Sequence, residues 1–597
     1  MKTIIAEKPS VAREIARLVG ATKPEEGYMH GNGYYVTWAF GHLVQPALPE
    51  GYGIKGFQRD NLPVIPDEFQ LVPRQVRTEK GYKADSGVMK QIRTITRLFN
   101  DSDRIIVATD AGREGELIFR YLYHYTGCTV PFDRLWISSL TDKAIREGLA
   151  NLEDGTKYDN LYLAAKSRSE ADWLVGINGT QALTIAAGRG TYSVGRVQTP
   201  TLAMVCARFW ENKRFVPQDV FQTHFSTRGK DADSVAKFSS VKKWNVKGEA
   251  AEVYGILKEA GTVAVLSVER KETVQEAPLL YDLTALQKDA NARHGFTAEK
   301  TLAIAQKLYE SKLITYPRTG SRYIPEDVFA GIPSLLKGNP KWDAVAGQLR
   351  ELNRRSVDDT KVTDHHALLP TGVKPLLFSK EDTAIYDMIV ARMLEAFSGK
   401  CVKDVTTVKA GCGGVEFVAK GNVVKQYGWR SVRNEKEEGE DNVVLPEWKE
   451  GDILPIMGCS LTEGKTKPKP FHTEATLLAA METAGKEVED EVMRQAMKDC
   501  GIGTPATRAA IIETLLKREY IVRSKKSLVP TEKGLALYSI VRGMDIANVE
   551  MTGQWEAALA KIEHGELPAE AFMRDIEAYT RKITTCLLYT SPSPRDP

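Results

Sequence analysis

Two short stretches constrain this chain most: TIIAEKPSVAREIARLVG from Thr3 and DRIIVATDAGREGELIFRYL from Asp103. Each reads as an apolar strand, a tight turn and an amphipathic helix, and such units pack as parallel strands with functional loops at their carboxyl ends. The charge lies in those loops, with Glu7 and Lys8 in the first and Asp110, Glu114 and Glu116 in the second. Pro9 is expected to stop the first strand, Ser10 to cap the helix after it and Gly20 to end that helix. An α/β domain with carboxylates along one sheet edge follows. Hard oxygen ligands grouped this way suit Mg²⁺, which keeps several waters and takes one or two carboxylates. The plainer reading is a solvated acidic turn with Glu114 favoured by a helix N-terminus.

A chain of 597 residues is too long for one core, and three or four domains are expected. The α/β pattern occupies 1–150, and 151–213 turns helical. Strand-like stretches at 214–278 and 399–470 flank a helical insert at 279–398, so they read as one domain split by that insert. From 471 to 585 helices return and include a winged-helix pattern. There Thr504 caps ATRAAIIETLLKRE with Pro505 in its first turn, and YIVRSKKSLVPTEKG forms a basic hairpin. RNEKEEGEDN at 433–442 reads as a solvated loop. The final CLLYTSPSPRDP, 586–597, departs from the preceding helical pattern, reads as a translated sequencing adapter, and is set aside from the fold.

With 81 Lys+Arg against 78 Asp+Glu the net charge is +3, so a polyanion must be met by local basic surface. No apolar run reaches the roughly 18 residues of a membrane span, and the N-terminus has no secretory pattern, so no membrane association and a cytoplasmic location are expected. The seven cysteines are scattered without a CxxC pair, which argues against a zinc ribbon and for reduced thiols.

ITYPRTGSRY at 314–323 supplies a nucleophile that can attack phosphate. A phenol with a pKa of about 10 is weak unless cations lie close. Pro317 biases Tyr316 to extended backbone, which puts Arg318 on the same side. Lys8 adds an ammonium group beside Glu7. In DHHALLPT, His365 and His366 suit a phosphate or proton-relay contact or, equally, local capping. In SVGRVQTPT the amides and the Arg196 guanidinium, with Gln198 entering a helix, suit backbone phosphates, and a plain helix cap fits as well. Arg168, Asp172 and Trp173 fit either a helix-face ion pair beside a core indole or a nucleic-acid surface.

Taken in order, EKPS, TDAGREGE, SVGRVQTPT, LITYPRT, HHALLPT and GIGTPATRAAII resemble type IA DNA topoisomerases, in their bacterial topoisomerase III branch, over about 1–580. The resemblance implies a multidomain α/β and α+β toroid. In it 1–150 is a Toprim domain, and 214–278 with 399–470 form a split β-rich arch. The helical domain 279–398 carries the tyrosine, and 151–213 with 471–585 form a winged-helix base. It implies Tyr316 as the nucleophile that forms a 5′-phosphotyrosine, Arg318 as its assistant, Glu7 for proton transfer, Lys8 on the scissile phosphate and His365 as the motif's histidine. Asp110 and Glu114 would hold Mg²⁺, with Glu7 beside them, and Arg168, Ser193, Gly195, Arg196, Gln198 and Thr199 would contact DNA. Two departures subtract negative charge: Gly112 replaces the middle acid of the usual DxDxE, for which Glu116 compensates, and Gly320 replaces an aspartate. The implied activity is ATP-independent relaxation and decatenation of single-stranded or negatively supercoiled DNA by a monomer in the bacterial cytoplasm and nucleoid, with helicase or single-strand-binding partners. A Toprim nuclease or primase, which would not use Tyr316, and a non-enzymatic DNA-binding protein are the alternatives.

Overall fold

The computed structural model describes residues 1–79, 81–228, 235–337, 341–347, 349, 351–374, 378–433, 443–487, 491–497 and 501–589. Strand β1 (Lys2–Ala6) lies between Tyr34–Trp38 and β2 (Arg104–Ala108), parallel to both, and Phe132–Arg134 runs parallel beyond β2. Short antiparallel strands at both edges complete a sheet of seven. Ile4 and Ile106 face one apolar layer with Val11 and Ile15, while Ile5, Ile105 and Val107 face the other with Ile92, Phe99 and Leu117. This period-two alternation, apolar on both sides, is what a doubly covered sheet requires.

Helix α1 (Pro9–Val19) follows β1 directly, with Lys8 at its N-cap position and Pro9 in the first turn, where a missing N–H costs nothing. Ser10 therefore lies inside the helix and does not cap it; its hydroxyl meets the Tyr309 hydroxyl at 3.0 Å. Gly20 ends α1 in the left-handed conformation at φ 80°, as expected. Helix α2 (Arg113–Tyr125) follows β2. Register pairs Ala6 with Ala108, so Glu7 and Lys8 emerge beside Thr109 and Asp110 at one sheet edge.

Helices α3 (Asp159–Ala187) and α4 (Gln198–Lys213) join the helices beyond residue 473 in the largest apolar core. The two strand-rich stretches form one antiparallel sheet of seven strands, packed around Phe225, Phe238, Phe417 and Trp448. A helix at Lys247–Ala260, unread in the sequence, covers this sheet. Its strands Thr262–Gln275 and Cys401–Cys412 stay paired to Gln275 and Cys401, past the buried residues Val263 and Val265, as a ribbon leading to the insert.

Among its described residues the insert carries helices longer than one turn only towards its ends, at Leu283–His294, α5 (Ala298–Glu310) and Lys380–Phe397, around Leu286, Ile304, Leu308 and Ile389. Between them lie short helical turns and irregular chain tied by isolated bridges such as Tyr281 with Leu368 and Ile314 with Pro370. Pro317, Pro325 and Pro370 explain this, since each removes a donor and disfavours helix before it. On its other side the insert docks through Arg322, which bridges Asp282 and Glu482, and through Arg508, which donates to Thr284 at 2.8 Å.

Helix α6 (Pro505–Lys517) has Thr504 as its N-cap in a reciprocal box with Thr507, and the hairpin Ile521–Ser524 with Ser527–Pro530 follows, as the winged-helix reading expects. The last described helix, Ala569–Tyr589, corrects the boundary at 586. Ile576, Thr580, Ile583 and Leu587 share one buried stripe, so residues 586–589 continue the helix; 590–597 lie outside the described residues, as do 434–442 of the expected loop. No helix among the described residues is long and apolar enough to cross a membrane. Cys128, Cys206, Cys401, Cys412 and Cys459 are free thiols, and Cys500 lies outside the described residues.

Candidate active site

At the carboxyl edge of β1 and β2, Lys8 Nζ donates to Asp110 Oδ2 at 2.7 Å and lies 3.9 Å from Glu7 Oε1. The Asp110 amide donates to Glu7 Oε2 at 3.2 Å. The insert brings two rings against this group. His365 Nε2 sits 2.8 Å from Asp110 Oδ2, and its ring centroid lies 4.5 Å from that of Tyr316. Lys8 Nζ stands 3.7 Å from the centre of the Tyr316 ring. Arg318 is exposed, and its charge favours the phenolate of Tyr316. A cavity of about 650 Å³ opens beside these groups, lined by Lys8, Arg13, Tyr309, Tyr316 and His365.

The groups titrate apart. Burial works against the Asp110 carboxylate, but the hydrogen bond and charge of His365, with Lys8, hold it below the usual range. Glu7 goes the other way, raised by burial and then by the like charge of Asp110, despite Lys8. Burial would lower Lys8, yet Asp110 and Glu7 raise it, so the ammonium persists. Tyr316 is raised by burial, against the pull of Lys8. Carboxylates pushed in opposite directions within one pocket divide naturally into an anion and a proton carrier.

Arg134 fixes the second loop by donating to the carbonyls of Val107, Thr109 and Asp110, the last at 2.7 Å. Gly115 is required there, since a Cβ would lie 2.0 Å from the Asp110 carbonyl oxygen. Glu114, in the first turn of α2, meets His42 at 3.0 Å and Arg168. Burial opposes its ionisation, but His42 and Arg168 bring it down to about 2. Glu116 is a correction: it is fully buried, 2.9 Å from both Arg120 and Arg134, and does not serve as a cation ligand. Two residues along a helix turn the side chain by about 200°, which places Glu114 and Glu116 on opposite faces.

Among the described residues no three His, Cys, Asp or Glu side chains form a ready cage for a metal. Glu7 and Asp110 together still fit an ion such as Mg²⁺, which keeps most of its water. His366 also borders the cavity, with its Nδ1 2.7 Å from the Ala367 carbonyl, and burial lowers its pKa. Gly320 lies against the start of α6, where a Cβ would be 3.3 Å from Pro505.

The turn at 193–199 closes on itself. Ser193 N donates to the Tyr520 hydroxyl at 2.7 Å, Gly195 N to Thr199 Oγ1 at 3.0 Å, and Gln198 Nε2 to Ser193 Oγ at 2.7 Å. Arg196 is buried, paired with Asp172 at 2.9 Å and Glu556 at 3.4 Å, and stacked over Trp555. Its guanidinium is thus committed within the protein, which corrects the reading of a free phosphate contact. Arg168 and Asp172 do not pair with each other, and Trp173 donates to the Ala47 carbonyl at 3.1 Å. His42, Arg134 and Asp364 were missed; only Asp364 lay inside a motif already singled out, DHHALLPT.

A sheet with a parallel centre and acidic loops at its carboxyl edge, faced by a tyrosine from a separate insert, defines a Toprim-type enzyme. A family model described as Toprim domain matches residues 2–140, and one described as DNA topoisomerase matches 156–574. The chain belongs to the type IA DNA topoisomerases and is topoisomerase III-like. It is 39% identical to DNA topoisomerase 3 of Bacillus licheniformis, over 97% of this chain and 80% of that protein. With DNA topoisomerase 3 of Bacillus subtilis (strain 168) it shares 38% identity over 97% of this chain and 81% of that protein. Full-length topoisomerase I from Thermotoga maritima has the same fold, with a TM-score of 0.69 at 22% identity, covering 100% of this chain and 91% of that one.

Proposed function

We propose that Tyr316 attacks a DNA phosphate, that a second strand passes through the break, and that the 3′-hydroxyl then reverses the attack. In the first step the phenolic oxygen bonds to phosphorus, the bond from phosphorus to O3′ breaks, the phenol loses its proton and O3′ gains one. The observation that carries this reading is the convergence of Tyr316, Lys8 and Asp110 from separate segments. Lys8 and Arg318 supply the positive charge that a buried phenolate and a phosphate both need. Glu7, with its raised pKa, is suited to hand a proton to O3′, and His365 orients Asp110 while packing on the Tyr316 ring. Asp110 with Glu7 beside it fits Mg²⁺, and the ionised Glu114 stands in the first turn of the helix that follows. Bound there, the cation would neutralise phosphate charge.

The tyrosyl ester conserves the phosphodiester's energy, so ATP is not required, in keeping with a sequence that has no GxxxxGK[ST] loop. The substrate is single-stranded or negatively supercoiled DNA, and the outcome is relaxation and decatenation. One chain holds every group of the site, which supports a monomer acting in the bacterial cytoplasm and nucleoid. The domains read from the sequence, 1–150, the base at 151–213 with 471–585, the split arch and the insert at 279–398, form a toroid. Its insert moves on the paired ribbon of Thr262–Gln275 and Cys401–Cys412. The test is Mg²⁺-dependent relaxation of a negatively supercoiled plasmid without ATP. Tyr316→Phe should lose relaxation and the denaturation-stable adduct while still binding DNA. A normal adduct yield from that variant refutes the assignment.

A further inference from the structure

Gly112 sits between Asp110 and Glu114 with φ −176° and ψ 178°, extended backbone that any residue adopts. Its torsions do not call for glycine. Space does: a Cβ at 112 would lie 2.5 Å from Asp364 Oδ1, 2.6 Å from Oδ2 and 2.7 Å from Cγ, and those are its three nearest atoms. In an aspartate the carboxyl carbon stands about 1.5 Å beyond Cβ, so an acid at 112 and the acid at 364 would claim overlapping volume. Asp364 is reached by solvent, and no hydrogen bond or ion pair from a described residue engages its carboxylate. Its charged neighbours are Asp110, His365, Lys8 and Arg134.

We infer that Asp364, entering from the insert, supplies to the cation pocket the carboxylate that position 112 lacks. This deepens the proposed reaction and rests on it. Asp364 precedes His365 and belongs to the same insert as Tyr316, so the acid set is completed across the contact between the first sheet and the insert. The cation is then held most tightly when the nucleophile is docked, and by linkage the cation favours docking. A carboxylate carried by residue 112 itself would lack this dependence, because it would stay on the sheet when the insert moves.

Moving the carboxylate back tests this. Mn²⁺ binding to the full chain without DNA, followed by the paramagnetic resonance of free Mn²⁺, would compare wild type, Asp364→Asn, Asp364→Ala and Gly112→Asp/Asp364→Ala. Alanine is used in the double variant because an amide would still crowd the new side chain. Both single variants should bind about tenfold more weakly, and the double variant should return close to wild type. The isosteric Asp364→Asn gives the same reading if the alanine variant folds poorly. The inference is overturned if Asp364→Asn binds as tightly as wild type, or if the transplanted carboxylate restores nothing. A wild type that binds no Mn²⁺ would sink both the cation assignment and this inference, whereas a binding wild type with an indifferent Asp364→Asn sinks only the latter.

Discussion

The pocket at Glu7, Lys8 and Asp110 and the turn at 193–199 look alike in sequence, each a charged loop leading into a helix, and the structure makes opposites of them. In the turn every charge is spent: Arg196 is buried against Asp172, Glu556 and Trp555, and Ser193, Gly195, Gln198 and Thr199 bond to one another or to Tyr520. In the pocket burial and then the like charge of Asp110 leave Glu7 raised despite Lys8, and Asp364 has no hydrogen bond or ion pair from the described residues. Closed networks define a fold, while a pocket left electrostatically incomplete is suited to receive a cation and a phosphate.

Charge removal should separate the two regions. Lys8→Ala is expected to slow adduct formation by about 10²–10³-fold, the usual cost of one preorganised donor, with a folded protein by circular dichroism. Full-speed adduct formation would remove Lys8 from the chemistry. Arg196→Ala should instead cost about 3 kcal/mol of stability, the low end for breaking a buried ion pair, because it leaves the largely buried Glu556 short of a partner while Asp172 is exposed, and should show as a lowered denaturation midpoint. If that variant keeps its stability and loses only DNA affinity, the turn is a phosphate site after all.

A smaller effect comes from Glu170 on α3, whose carboxyl is pushed up to about 7 by burial, only partly opposed by Lys166 at 3.8 Å. A raised folded pKa means stability is fully present below the unfolded value of about 4.5 and lost as pH rises through about 7. Glu170→Gln should therefore gain on wild type across that window, by about 3 kcal/mol at most, and parallel stability profiles from pH 4 to 8 would contradict the burial argument. The least effect is expected from His42→Ala. Glu114 is half exposed, so losing one partner should change stability by under about 1 kcal/mol, a difference present above the ordinary glutamate range and lost as pH falls through about 2.

Much of this was legible in the sequence, and the exceptions share a cause. The strand ends carrying Glu7 and Asp110, the Gly20 stop and the Thr504 cap are local, set by a few neighbouring residues. The side of Glu116 was also open to sequence reasoning, since helical phase alone opposes it to Glu114. Arg196 was not, because its partners lie at Asp172 and Glu556, one of them 360 residues away. Asp364 was invisible for the same reason: nothing near Gly112 in sequence says which distant side chain fills the space beside it. The resemblance located Tyr316 and His365, and the structure adds the distances that set them against Lys8 and Asp110.

The most direct measurement is the chemical identity of the trapped product. Wild-type protein denatured during reaction with single-stranded DNA, digested with protease and nuclease and examined by mass spectrometry should yield a nucleotide 5′-phosphate on the peptide containing Tyr316. A nucleotide on another residue, or protein-free DNA ends from a preparation that still relaxes plasmid, would contradict the role given to that phenol.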